Sequence, residues 1–268
     1  MTECIHGLDI EHCDICNPRV REPQPAAVSR APRIPRTSPR KAQAPRLRDS
    51  GPATSAASGP DLISLRAHHW THVSNLPSIL ASGALQAGAT PELDVSTPAL
   101  RESRAQATVA GAEHGDFGGE PTSVASFVPL ALTPSSAAWA EVRAGAEEDR
   151  WSDAARETRA TDYVVLVFPV AALGTEFVVT DGDATGATTR SGAGIEAGGS
   201  LVRRASLTDP DLVEVELLVP DSVDLASATL IGVANDKARD RVKELIKAAK
   251  GASPRVAIYP PWFRPAED

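Results

Sequence analysis

Apolar positions are spread unevenly along this chain. Residues 17–60 offer little but alanine, whereas periodic patterns begin just after position 61. Leu76, Ile79 and Leu80 lie at i, i+3 and i+4, which predicts a short helix with Ser74 as N-cap, Pro77 in its first turn and Gly83 just past its end. Residues 65–70 before it read as a strand. Its alternation puts His69 and Thr71 on one face and His68 and Trp70 on the other. Strands are also predicted at 123–132, 163–170, 176–180, 212–219 and 255–259. The 163–170 run is continuously apolar and therefore central. The 176–180 strand ends at the turn Asp181-Gly182-Asp183. In 212–219, Val213, Val215, Leu217 and Val219 alternate with Glu214 and Glu216, which puts the two carboxylates mid-strand on one face. Helices fit 135–147 and 236–250, the second with Leu245 and Ile246 on its apolar side and Gly251 as a stop. The Gly/Ala/Thr-rich stretch 186–199 reads as a mobile loop. Strands and helices mix without regular alternation, so the fold class is α+β: a mixed β-sheet core with flanking helices.

Charge sharpens the division. The chain has 268 residues, 27 Lys+Arg and 35 Asp+Glu. Residues 1–16 hold four acids and no Lys or Arg, while residues 17–60 hold nine Lys/Arg, nine prolines and two acids. That leaves 18 basic and 29 acidic residues in 61–268, a net charge of −11. Overall charge therefore gives no case for nucleic-acid binding by the folded part; a local basic groove or the basic tract would have to supply it. Residues 21–60 read as a disordered basic, proline-rich linker, because such a composition buries too little apolar surface to order itself. No 18-residue apolar run suggests a membrane span, and no charged-then-apolar leader suggests export, so the expected location is the cytoplasm.

All three cysteines fall within residues 1–20. Cys4, His6, Cys13 and Cys16 form C-x-H-x6-C-x2-C, a four-ligand set suited to a tetrahedral zinc ion, with His12 as the alternative to His6. The competing view is three unrelated reduced thiols; an odd count argues against a disulfide framework. The domain plan is thus a zinc knuckle at 1–20, the linker at 21–60 and one folded domain at 61–268.

Four stretches of that domain, in order, carry a resemblance. They are His69-Trp70-Thr71-His72 with Asn75-Leu76-Pro77-Ser78-Ile79-Leu80 and Gly83-Ala84-Leu85; 127–136; Phe177-Val178-Val179-Thr180-Asp181-Gly182-Asp183-Ala184; and Val215-Glu216-Leu217-Leu218-Val219. Together they resemble the DarT family of ADP-ribosyltransferases, which modify bases in single-stranded DNA. The resemblance implies an ADP-ribosyltransferase-like fold, NAD as co-substrate, single-stranded DNA as acceptor, and a toxin restrained by an antitoxin with ADP-ribose hydrolase (macrodomain) activity. It assigns Glu216 and Arg104 to catalysis, and His69, Trp70, Thr71, Ser78, Leu85 and Arg104 to NAD binding. In 127–136 the chain has Leu130, Ala131, Leu132 and Ser135 where the family usually has aromatics and an arginine. An RNA or protein acceptor, and a nucleic-acid-binding protein without activity, are the alternatives.

The chemistry fits these residue types. Breaking the nicotinamide–ribose bond passes through an oxocarbenium-like transition state, which a fixed carboxylate stabilises. Glu216 is a carboxylate within an apolar strand, so it must face water or a polar pocket; Glu214 is the second candidate. A histidine nitrogen and a threonine hydroxyl can hold a ribose and an amide, and His69 and Thr71 supply them. Arginine stays protonated in proteins, so Arg104 is expected to grip phosphate or a developing base anion electrostatically, with Arg101 as its rival.

Overall fold

Pairing in the main sheet explains why a cleft exists at all. The computed structural model describes residues 59–110, 121–249, 251 and 254–265; the expected zinc knuckle and the expected linker through residue 58 lie outside the described residues. In chain order the elements are Arg66–His72 (β1), Leu76–Ser82 (α1), Ala84–Gln86 (β2), Pro98–Gln106 (α2), Thr108–Ala110 (β3), Pro121–Ser123 (β4), Phe127–Ala131 (β5) and Ala137–Arg143 (α3). Then come Asp153–Arg156 (α4), Tyr163–Pro169 (β6), Val178–Thr180 (β7), Ser191–Ala193 (β8), Gly194–Ala205 (α5), Glu216–Pro220 (β9), Ser222–Asp224 (β10), Leu230–Val233 (β11), Asp236–Ala249 (α6) and Arg255–Ile258 (β12). Eight strands form one sheet in the order β12-β11-β6-β1-β5-β9-β7-β8. Only β11 and β12 run parallel. This is the expected α+β class.

β1 pairs with β6 along its whole length, from Arg66↔Pro169 to His72↔Tyr163. With β5 it shares a single register pair, His68↔Ala131. The cause sits at Pro129. In an extended strand the N–H and C=O of one residue point to the same side, and the Pro129 carbonyl is turned toward β1, where the His69 ring reaches it. Proline has no N–H to donate in that direction, so the ladder fails there. The sheet parts between β1 and β5.

Both faces are covered. On one, α1, α5 and α6 pack Leu76, Leu80, Leu201, Val202, Val242 and Ile246 onto Leu166, Phe168, Leu217 and Ile231. On the other, Trp139, Trp151, Tyr163 and Phe263 form an aromatic layer over Val165, Val167 and Leu230. β6 is buried through Phe168, as its unbroken apolar run predicts.

Several expectations shift. The N-cap position of α1 falls at Asn75 rather than Ser74, with no side-chain capping bond; Ser74 lies in a 3-10 turn and its amide donates to His72. Gly83 does end α1, with φ 73°. The 123–132 segment is broken by a 3-10 turn at Val124–Ser126, so only its second half joins the main sheet. The helix expected at 135–147 is the shorter α3. The 212–219 alternation fails because Leu212 adopts φ 55° in a turn, and β9 begins only at Glu216. Glu216 is therefore the first residue of its strand, not a mid-strand carboxylate. The glycine-rich 186–199 stretch is no mobile loop: it holds β8 and the first half of α5. A Cβ on Gly198 would stand 2.8 Å from Val179 Cγ2, so the small residue serves close helix-on-sheet packing.

Candidate active site

A cleft of about 200 Å³ opens where the sheet parts. β1 lines it with His68, His69 and Trp70, β5 with Pro129 to Ala131, and the start of β9 with Glu216. Arg104, Arg150, Trp151 and Asp183 complete the charged and aromatic lining.

The β1 wall is uncharged. His69 Nδ1–H donates to the Pro129 carbonyl at 3.1 Å, and His68 Nδ1 stands 3.4 Å from the Ala131 carbonyl. Burial lowers both imidazole pKa values against these bonds, that of His68 to about 4. Both rings are thus neutral near pH 7, with the proton on Nδ1 and Nε2 left as an acceptor. Trp70 stacks on Trp139, centroids 5.3 Å apart, and meets Trp151 edge-on at 5.9 Å. His68 meets the edge of Trp262.

The opposite wall is charged. Glu216 enters it because β9 starts there, beside Ala131 on one flank and Thr180 on the other. Arg104 Nη1 lies 3.6 Å from Glu216 Oε2, close enough to attract but beyond a hydrogen bond. Among the described residues, Glu216 Oε2 and Arg104 Nη2 are buried with no hydrogen-bond partner. Desolvation raises the Glu216 pKa, aided by Asp183, although Arg104 and the Ala184 amide pull it down. Buried polar atoms left unpaired are costly, so both atoms stand ready to take a further hydrogen bond.

Arg104 sits in the last turn of α2, a helix with no buried residue. Its ends hold it. The Thr97 hydroxyl accepts from Leu100 N–H, and Thr97 N–H and O–H both donate to the Arg150 carbonyl, at 3.1 and 3.2 Å. At the other end Ser123 O–H donates to the Ala105 carbonyl at 2.9 Å. Arg101, the rival, is engaged by the Asp94 carboxylate and the Ser96 carbonyl and does not line the cleft. Glu214 borders the cleft, exposed and with no charged partner among the described residues.

Arg150, Trp151 and Asp183 also line the cleft, and the sequence reading gave none of them a role in the site. Arg150 grips Glu141 with two bonds, of 2.8 and 2.6 Å, and Asp183 Oδ2 at 3.1 Å, with its guanidinium 4.9 Å above the Trp151 ring. Asp183 Oδ1 accepts from both the amide and the hydroxyl of Thr185. Burial pushes the Asp183 pKa up, but the Thr185 bonds with Arg104 and Arg150 outweigh it and hold the carboxyl below its usual range. The Asp183 turn was visible in the sequence; Arg150 follows Glu147, Glu148 and Asp149, a charge run that carries no site signal.

Thr71, Ser78 and Leu85 do not line this cleft. The Thr71 hydroxyl accepts from Asn75 Nδ2 at 3.1 Å and the Ser78 hydroxyl donates to the Asn75 carbonyl at 2.8 Å. Leu85 is buried in the core. Asn75 in turn holds Leu93 through bonds to its carbonyl and amide. These three residues thus fix the elements that flank the site. Among the described residues no group of His, Cys, Asp and Glu forms a metal site.

A carboxylate against a guanidinium, facing neutral histidines and stacked tryptophans across a split sheet, suits cleavage of a glycosidic bond to a planar, cationic leaving base. Known proteins agree. The model of the DarT family, described as ssDNA thymidine ADP-ribosyltransferases, matches residues 68–264. Among curated proteins no sequence matches. Among solved structures, the Thermus sp. 2.9 DarT in complex with ADP-ribosylated ssDNA is similar at 20% identity and a TM-score of 0.62, covering 77% of this chain and 98% of that one. The same Thermus protein in complex with NAD+ gives 21% identity and a TM-score of 0.59, covering 76% and 99%. The Thermosipho africanus DarTG in complex with ADP-ribose gives 17% and 0.56; this chain spans only 51% of it. The chain belongs to the DarT family and is an ADP-ribosyltransferase of that class.

Proposed function

We propose that the cleft binds NAD+ with its nicotinamide and adjoining ribose between the β1 wall and Glu216, and passes the ADP-ribose to a thymidine in single-stranded DNA. The Thermus relative was captured with NAD+ and with ADP-ribosylated ssDNA. The observation that carries the reading here is the buried, unpaired Glu216–Arg104 couple at the split of the sheet. Glu216 holds a ribose hydroxyl and stabilises the positive charge that grows at the anomeric carbon as neutral nicotinamide leaves. His69 and Trp70 hold the nicotinamide ribose end, His69 through its free Nε2. Arg104 grips phosphate or the acceptor base. Thr71, Ser78 and Leu85 act on NAD binding by positioning β1 and α1.

The test is labelled NAD+ incubated with single-stranded oligonucleotides, RNA and protein. Label on thymidine-containing DNA, abolished by Glu216→Gln, is the expected result; label on no acceptor overturns the reading.

The biological role we assign is that of a toxin restrained by a partner antitoxin with macrodomain ADP-ribose hydrolase activity, acting in the cytoplasm. The name of the Thermosipho protein, DarTG, supports this pairing. Growth arrest on expression, relieved by co-expressed ADP-ribose hydrolase, tests it. No helix among the described residues is long and apolar enough to cross a membrane. For residues 1–20 we propose a structural zinc ion on Cys4, His6, Cys13 and Cys16, and for 21–60 a tether that adds phosphate affinity. Metal analysis and DNA binding with and without residues 1–60 test these two.

A further inference from the structure

The acceptor poses a problem that the Glu216–Arg104 couple leaves open. In a thymidine the only ring N–H is at N3. For N3 to bond the anomeric carbon, that proton must leave. Arg104 is protonated and cannot accept it. Glu216 is committed to the ribose. A second carboxylate in the same cleft, ionised and fixed in place, can take it.

Asp183 meets these conditions on geometry. It follows β7 by three residues, and β7 ends at Thr180, the register partner of Glu216. Its side chain lines the cleft with Glu216 and Arg104. The turn is locked: Thr180 O–H donates to the Gly182 carbonyl at 2.8 Å and Thr189 O–H to the Asp183 carbonyl at 2.7 Å. The carboxylate is locked as well, Oδ1 by Thr185 and Oδ2 by Arg150. Oδ1 is filled by its two bonds from Thr185, Oδ2 keeps acceptor capacity beside Arg150, and the side chain is 37% exposed. Charged groups reach it from three other segments: Arg104 on α2, Glu216 on β9 and Arg150 ahead of α4, itself held by Glu141 on α3.

We propose that Asp183 is the general base that removes the N3 proton of the acceptor thymidine during transfer. The inference rests on the proposed NAD+-to-thymidine reaction. In the step, the ribose–nicotinamide bond breaks and nicotinamide leaves neutral with the electron pair. The N3 lone pair forms the new bond to the anomeric carbon. The N3 proton passes to an Asp183 oxygen and then to water. A weakly basic carboxylate suffices, because N3 becomes strongly acidic as its bond to carbon forms, so the proton moves with bond formation. Arg104 stabilises the negative charge that develops on the base.

The experiment compares the full chain with Asp183→Asn and Asp183→Ala in two assays: nicotinamide release without DNA, and transfer to a thymidine oligonucleotide. Expected is transfer lowered about 100-fold, the usual worth of a positioned base, with nicotinamide release lowered far less, so that the ratio of transfer to release falls. Formate added to Asp183→Ala should recover part of the transfer, and among small carboxylates the recovery should rise with the pKa of the acid, a dependence that a purely structural carboxylate would not give. An oligonucleotide carrying 5-fluoro-2′-deoxyuridine, whose N3–H is more acidic, should gain more over 2′-deoxyuridine in Asp183→Asn than in wild type. Unchanged transfer in Asp183→Asn, or nicotinamide release and transfer falling together without formate rescue, overturns the inference. Wild type that transfers to no thymidine overturns instead the reaction on which it rests.

Discussion

The two walls of the cleft differ in kind. Across the gap, β1 presents rings that carry no charge near pH 7: His68, His69 and Trp70, backed by Trp139 and Trp151. The β9 side presents Glu216 and Asp183, answered by Arg104 and Arg150. The first wall is organised by packing and by imidazole bonds to β5 carbonyls; the second by ion pairs between segments distant in sequence. A substrate lodged between them meets a pre-shaped apolar surface on one side and a fixed electrostatic field on the other. That arrangement suits a planar leaving group that turns neutral while its ribose gains charge.

The largest test of this division is on the charged wall. Glu216→Gln should lower transfer at least about 1,000-fold, roughly 4 kcal/mol of transition-state stabilisation, while leaving the melting temperature equal or higher, because a desolvated charge is removed. Activity within 10-fold of wild type would break the comparison at its centre. On the uncharged wall the largest effect is on stability: Trp139→Ala should cost about 3–5 kcal/mol by denaturant titration, since the side chain is fully buried and its Nε1–H bonds the Trp262 carbonyl at 2.7 Å.

Smaller effects sharpen the contrast. Arg104→Ala should lower transfer about 100-fold and move the acid limb of the pH–rate profile upward. Sign and cause agree here: Glu216 is already raised by burial, and losing the nearby cation raises it further, so more alkaline conditions are needed to ionise it. For His68 the linkage runs through stability. Its native pKa of about 4 lies below the unfolded 6.5, so between these values the unfolded chain binds the proton that the native chain refuses. Stability is therefore lost as pH falls from about 6.5 to about 4, by up to about 3 kcal/mol. The urea midpoint should fall less over that window in His68→Gln than in wild type.

The two walls were unequally legible in the sequence. β1, α1 and β6 follow from local pattern: apolar spacing, a glycine stop and an unbroken apolar run. Their side chains could be assigned to faces from alternation alone, and the neighbours of His68 and Trp70 fit that assignment. The charged wall depends on long-range closure. Glu216 stands out as an acid among valines and leucines, but its place at the head of β9 depends on Leu212 turning to positive φ, which no periodicity reveals. Arg150 looks like one more solvent charge until Glu141, Asp183 and the α2 N-cap gather around it. The glycine-rich 186–199 segment misled for a related reason: composition alone does not distinguish glycine that loosens a chain from glycine that lets a helix approach a strand.

One consequence of Pro129 reaches beyond catalysis. Parting a sheet in its middle creates two bare strand borders, and bare borders invite other strands, from the same molecule or another, to dock and zip them shut. Pro129 withdraws the amide that such a visitor would need, and the His69 ring occupies the carbonyl beside it. The same two residues that open the site also keep it from being sealed, so a donor-bearing residue in place of Pro129 should let β1 and β5 zip together and cost activity by closing the opening.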